Sequence, residues 1–250
     1  MTKKNSQDKR IEILVSVDDG NQCDLQAAEL FLKYNIPAVF YISVSERRGR
    51  SNLNEGQIEQ LAGVSMKGCF LCKKMKTLFD IGSHTLTHPE LDLMIKDGKE
   101  SEAMKELTDS KTFLENIIVR PVTRFAYPYG RHNKKVREMV KSAGYKSART
   151  AKAMNIDFPT NLYEMTPSIH ICPSRKEYKG KTWIEVGYEL FDKVIKEGGR
   201  FEIYGHSYEI FEQFNMGEFF EMFLSYMDEE MKKIGYPRKI LKHGESFVLK

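Results

Sequence analysis

Two adjacent aspartates, Asp18 and Asp19, close the run IEILVSVDDG at residues 11–20. Neighbouring carboxylates repel, so such a pair is relieved by a cation, a proton or abundant water. Taken alone, Asp18-Asp19-Gly20 reads as a solvated turn. The segment HTLTH at residues 84–88 changes that reading, because it spaces His84 and His88 four apart. HxxxH places two imidazoles on one side of a single helical turn and suits one divalent ion. Pro89 disfavours helix at His88, so the expectation is a lone turn inside a loop. Two solvated loop histidines are the plain alternative. If a carboxylate converges on them, a His, His, Asp set with open positions results, fit for zinc or a divalent metal of similar demand. One aspartate would bind the ion, and the other would stay free to take a proton from water.

Such a set needs elements to hold it. The sequence predicts strands over 11–17, 38–42, 78–81, 124–126, 145–148 and 201–204. Helices are predicted over 25–34, 54–62 (capped by Asn54), 100–118, 134–142, 183–196 and 219–234. Residues 63–76 are less defined. Strand-then-helix alternation implies a largely parallel sheet, open or closed into a barrel. Sites in such folds lie at the C-terminal strand ends. Four polar clusters stand there: Asp18-Asp19-Gly20, His84 to His88, Tyr127-Pro128-Tyr129-Gly130 and Gly205-His206-Ser207. Packing does not account for four such coincidences. His132, His170 and His243 have no comparable company and read as structural or solvent-facing. His170, between Ile169 and Ile171, fits a half-buried strand.

Composition narrows the class. The chain has 250 residues, 41% hydrophobic and 30% charged, with a net charge of +4. That is enough for one large domain without staples. The basic residues are spread, with Lys73-Lys74, Lys134-Lys135 and Lys232-Lys233 as isolated pairs, which argues against nucleic-acid binding. No apolar run approaches the ~20 residues of a membrane helix. The start MTKKNSQDKR lacks the apolar core of a signal peptide, so a cytoplasmic location is expected. In that compartment Cys23, Cys69, Cys72 and Cys172 stay reduced, and the lone CxxC of Cys69 and Cys72 is a weak signal.

The order DDG, HTxxH, YPYG and a late strand ending in histidine resembles the polysaccharide deacetylase family, carbohydrate esterase family 4, the NodB homology domain. The likeness runs from about residue 11 to residue 207. It implies an α/β fold, a distorted (β/α) barrel with fewer than eight strands in a single domain. Residues 11–236 would be the catalytic domain, 1–10 a polar N-terminal segment and 237–250 a tail. Family members remove acetyl groups from sugars, commonly N-acetylglucosamine in polymers. The resemblance further implies that Asp18 is the general base and that Asp19, His84 and His88 hold a divalent metal, most readily Zn2+. Tyr129 would offer its backbone N–H to the oxyanion, and His206 would be the general acid. The implied partner is an acetylated amino sugar or glycan, with no nucleic acid and no membrane span; oligomeric state is left open.

Three departures stand out. Ala126 occupies the place where the family often has an arginine, so Arg124 or Arg149 would have to orient the base. The closing motif is EIYGHSYE rather than a leucine-rich strand ending in His-Asp. The aspartate that tunes the acid has a weak counterpart in Asp157. The alternatives are a catalytically impaired carbohydrate-binding relative and a deacetylase of a different acylated sugar precursor. A magnesium phosphohydrolase would want a glycine-rich phosphate loop, and none is present.

Overall fold

A computed structural model of the chain describes residues 9–45, 51–64, 70–241 and 247–249. Seven strands run parallel: β1 (Lys9–Asp19), β2 (Ala38–Ile42), β3 (Phe79–Ser83), β4 (Arg124–Ala126), β5 (Ser147–Arg149), β6 (Ile169–His170) and β7 (Gly199–Gly205). Their order is β5-β4-β3-β2-β1-β7-β6. A short β8 (Phe247–Leu249) pairs antiparallel with the start of β1. The sheet curls into a distorted (β/α) barrel of a single α/β domain. Its two edges are joined by the segment after β5. Met165 exchanges backbone bonds with Ala148 and Thr150, and Ser168 N–H donates to Glu202 O at 2.7 Å.

Strand periodicity explains the interior. Alternate residues point to opposite faces. Ile11, Ile13, Val15 and Val17 of β1 belong to the main core beneath the helices. Leu14 faces the other way and packs in a small separate cluster with Val39, Tyr41 and Ala126. That inner face also carries Glu12, Ser16 and Asp18 from β1 and Arg200, Glu202 and Tyr204 from β7. The barrel interior is therefore largely polar. Buried Glu202 accepts from Ser16 Oγ (2.8 Å) and Arg200 Nη2 (2.5 Å), and Arg200 Nε donates to Glu12 (3.1 Å).

The outer layer holds α1 (Asp24–Tyr34), α2 (Glu55–Ala62), α3 (Phe70–Leu78), α4 (Leu91–Lys96), α5 (Glu100–Ile118), α6 (Lys134–Ser142), α7 (Trp183–Glu197) and α8 (Gly217–Lys233). Their apolar stripes meet the sheet through aromatic contacts such as Phe31–Phe40 at 6.0 Å and Phe191–Phe201 at 5.1 Å. Asn54 caps α2 in a reciprocal box with Gln57. The poorly defined stretch becomes α3, which takes in Leu78 and delays β3 to Phe79. Cys72 lies on that helix, whereas Cys69, His243 and residues 1–8 lie outside the described residues. Past residue 236 the chain returns to the body: Ile240 N–H donates to Thr77 O, and Leu241 O accepts from Arg124. Among the described residues no helix is long and apolar enough to cross a membrane.

Candidate active site

The four predicted clusters converge at the C-terminal ends of the strands. Asp18 and Asp19 end β1. His84 follows β3, and its turn carries His88. Asp19, Thr85, His88 and Tyr129 all have φ in the left-handed region (88°, 68°, 62° and 57°). Such conformations persist only where surroundings over-determine them. Here they do: Thr85 Oγ1 accepts from the His88 N–H at 2.9 Å. Glu106 of α5 accepts from the N–H groups of Leu86 and Thr87 and from the Thr87 hydroxyl, at 2.9, 2.8 and 2.7 Å. One helix carboxylate thus ties down the histidine turn.

Three donor atoms meet above the sheet. His84 Nε2 and His88 Nε2 lie 3.1 Å apart. Asp19 Oδ1 is 3.5 Å from the first and 3.7 Å from the second. Ligands on a tetrahedral zinc at ~2.0–2.1 Å are separated by about 3.3 Å, so the spacing fits a single ion. His84 Nδ1 lies 2.8 Å from the Ala126 carbonyl. Donation there fixes the tautomer that turns the Nε2 lone pair toward His88 and Asp19.

Asp18 and His206 flank these donors. Asp18 is buried, and both its oxygens accept from Arg149 Nη2. Burial would raise its carboxyl, yet Arg149, with help from His84 and His206, holds it below the usual carboxylate range. Arg149 is positioned by Glu202, 3.6 Å from its Nε, and by the faces of Tyr41 and Tyr204. On the neighbouring strand Val17 registers with Gly205, so Asp18 and His206 leave the sheet side by side. His206 Nδ1 lies 2.8 Å from Glu209, and its Nε2 is 3.9 Å from Asp19. Burial opposes a charged imidazole, but the Glu209 bond and the nearby Asp19 and Asp18 raise its pKa above the ordinary value.

The YPYG segment forms one 3-10 turn, Pro128–Gly130, and Tyr129 is 64% exposed with its ring 4.6 Å from His88. Gly130 (φ +68°) is required there, since a Cβ would come within 2.6 Å of the Ala151 backbone nitrogen. The donors open into a cavity of about 760 Å3, lined further by Tyr127, His170, Arg175, Tyr204 and Tyr208.

Asp18, Asp19, His84, His88, Tyr129 and His206 are thus brought together, and Arg149 stands beside Asp18. Arg124 is not at the site: it is committed to Asp80 (3.0 Å) and the Leu241 carbonyl (2.6 Å). Asp157 is displaced too, because its neighbour Ile156 pairs with Arg200 near the start of β7, at the opposite end of the barrel. Glu209 takes the place beside the acid. A helical turn after His206 brings residue i+3 back to its side, a signal the sequence offered. His132 is structural, stacked on Tyr127 at 4.8 Å. His170 is a correction: it faces the cavity, stacks on Tyr204 and lies 3.8 Å from Glu209. Burial lowers its pKa to about 4, so it is neutral near pH 7.

The sequence profile of the family described as polysaccharide deacetylase matches residues 4–148. No curated protein matches. Among solved structures, a polysaccharide deacetylase from Bacillus cereus is 25% identical, over 62% of this chain and 46% of that one, with a TM-score of 0.48. The chain thus spans about half the length of that relative. The peptidoglycan deacetylase PdaC from Bacillus subtilis is 19% identical, over 91% and 84%, with a TM-score of 0.46. A further Bacillus cereus polysaccharide deacetylase is 13% identical over 95% and 94%, with a TM-score of 0.53, a likeness of fold.

Proposed function

Because the chain belongs to the polysaccharide deacetylase family, we propose that it hydrolyses the N-acetyl group of an amino sugar of the N-acetylglucosamine type, as an oligo- or polysaccharide. The observation that carries this reading is geometric: Asp18 paired with Arg149 and His206 paired with Glu209, beside one set of candidate metal donors. Asp19, His84 and His88 would hold a divalent ion, most readily zinc. Bound there, such an ion would supply Lewis acidity that polarises the amide carbonyl and lowers the pKa of water toward ~7.

The chain's own residues do the rest. Asp18, kept ionised by Arg149, takes a proton from the attacking water. The Tyr129 N–H, on its strained turn, stabilises the developing oxyanion. An amine cannot leave as an anion, so His206 protonates the nitrogen as the C–N bond breaks, and acetate and a free amine result. Glu209 holds the Nδ1 proton and turns Nε2 toward the reaction. A binding protein without catalysis drew its support from Ala126; Arg149 beside Asp18 weakens that ground. The test is acetate release from N-acetylglucosamine oligomers with zinc, after chelation and after zinc is restored. Release that chelation abolishes and zinc restores is expected. One bound zinc with no release from any acylated sugar would overturn the reading.

A further inference from the structure

Among the described residues lining the cavity, Arg175 is a cation that amide hydrolysis does not use. Arg175 lines it, on the segment between β6 and α7, with its side chain 23% exposed. Its Nη1 donates to the Tyr204 hydroxyl at 3.1 Å. Tyr204 is itself buried and held: its hydroxyl donates to the Ala151 carbonyl at 3.1 Å. Its ring carries the stacked His170 ring at 4.5 Å and the Arg149 guanidinium at 4.5 Å. Arg175 is therefore anchored on a rigid floor. Its Nε meets Glu177 at 3.4 Å, a half-exposed carboxylate that does not line the cavity, and such solvent-exposed pairs contribute little. Among the described residues, Nη2 has no acceptor.

Among the described residues, the carboxylates facing the cavity already have partners. Asp18 is held by Arg149, Glu209 by His206, and Asp19 faces His84 and His88. A bound divalent ion would add further positive charge. A planar, partly desolvated guanidinium with an open nitrogen is suited to an oxyanion, carboxylate or phosphate, which accepts in fork geometry.

We propose that the acylated sugar this protein takes carries an oxyanion and that Arg175 binds it. This rests on the deacetylase reading and narrows its substrate class. The test compares kcat/KM for acetate release from three probes on the zinc-loaded full-length chain. They are N-acetylglucosamine, its 6-phosphate, and N-acetylmuramic acid, which bears a carboxylate. At least one anionic probe is expected to exceed the neutral sugar by roughly tenfold or more, the size of a charge-assisted hydrogen bond. Which one exceeds it separates phosphate from carboxylate. Arg175→Met should collapse that ratio toward one, and Arg175→Lys should keep part of it. A ratio near one in the parent protein, or an unchanged ratio in Arg175→Met, overturns the proposal. If no probe releases acetate, the deacetylase reading fails separately, and calorimetric binding of the three sugars decides this one. Tighter binding of an anionic sugar that Arg175→Met abolishes supports it, and equal or absent binding of all three overturns it.

Discussion

Arg149 Nη2 donates to both carboxylate oxygens of Asp18, across 131 positions of sequence. The arginine leaves the sheet from β5, one strand beyond the position where Ala126 stands. Asp18 serves as base only when ionised, so activity is lost as pH falls through its pKa. Arg149 keeps that pKa low against the effect of burial. With zinc bound in both proteins, Arg149→Met should move the acid limb of kcat/KM to higher pH and lower kcat about 10–100-fold, a share of what a general base supplies. Arg149→Lys should move the limb less. An unmoved limb in Arg149→Met would remove the tether from the mechanism.

The acid side carries the opposite sign. His206 must be protonated to donate, so activity is lost as pH rises through its pKa, which the fold raises. Glu209→Gln keeps the shape and removes the charge. Its alkaline limb should shift to lower pH, with KM and zinc content little changed. A shift to higher pH would contradict the pairing.

Zinc content separates the two aspartates. Asp18→Asn should retain one equivalent of zinc and lose turnover by at least ~100-fold. His84→Ala should lose both. Elemental analysis alongside acetate release reads both, and full activity in Asp18→Asn would displace Asp18 from the role of base.

Glu106 touches none of these groups yet holds the turn that carries two of the donors. Glu106→Ala removes the acceptor for two backbone N–H groups and a hydroxyl. Zinc affinity should fall about 10–100-fold, the usual effect of losing a second-shell support. Competition with a fluorescent chelator measures this, and unchanged affinity would show that the left-handed turn is held by its own bonds.

The candidate site residues were readable because each cluster follows a short apolar or β-branched run that marks a strand. β1, β2, α5 and α6 fall where their apolar spacing and caps put them. What supports those residues was only partly readable. Arg149 was one of two arginines offered to orient Asp18, whereas Glu202 and Glu106 reach the site through strand order and helix packing, which no local spacing encodes. Asp157 was favoured by its place in the chain, whereas the sheet carries it to the far end of the barrel. His170 looked like an ordinary strand residue, and only the placement of β6 beside β7 turns it toward the cavity. β6 is only two residues long, and the alternation of Ile169, His170 and Ile171 was its one local mark.

The polar interior makes a stability prediction of its own. Glu202 is fully buried between Arg149 and Arg200, which are each 2% exposed. Removing one partner of a buried ion set strands the others, at a cost of about 3–5 kcal/mol. Glu202→Leu leaves two guanidinium groups without their shared carboxylate. For a chain of this size ~1 kcal/mol moves Tm by about 2–4 °C, so a fall of roughly 6–20 °C is expected. The pair Lys33–Glu221, at 2.6 Å but 60% and 37% exposed, is the control. Exposed pairs contribute ~0–1 kcal/mol, so Glu221→Ala should move Tm by no more than about 4 °C. Differential scanning calorimetry of the two variants reads the contrast directly. Equal shifts would mean that Glu202 is reached by water and that the column of charge between Glu12 and Asp18 is solvated rather than dry.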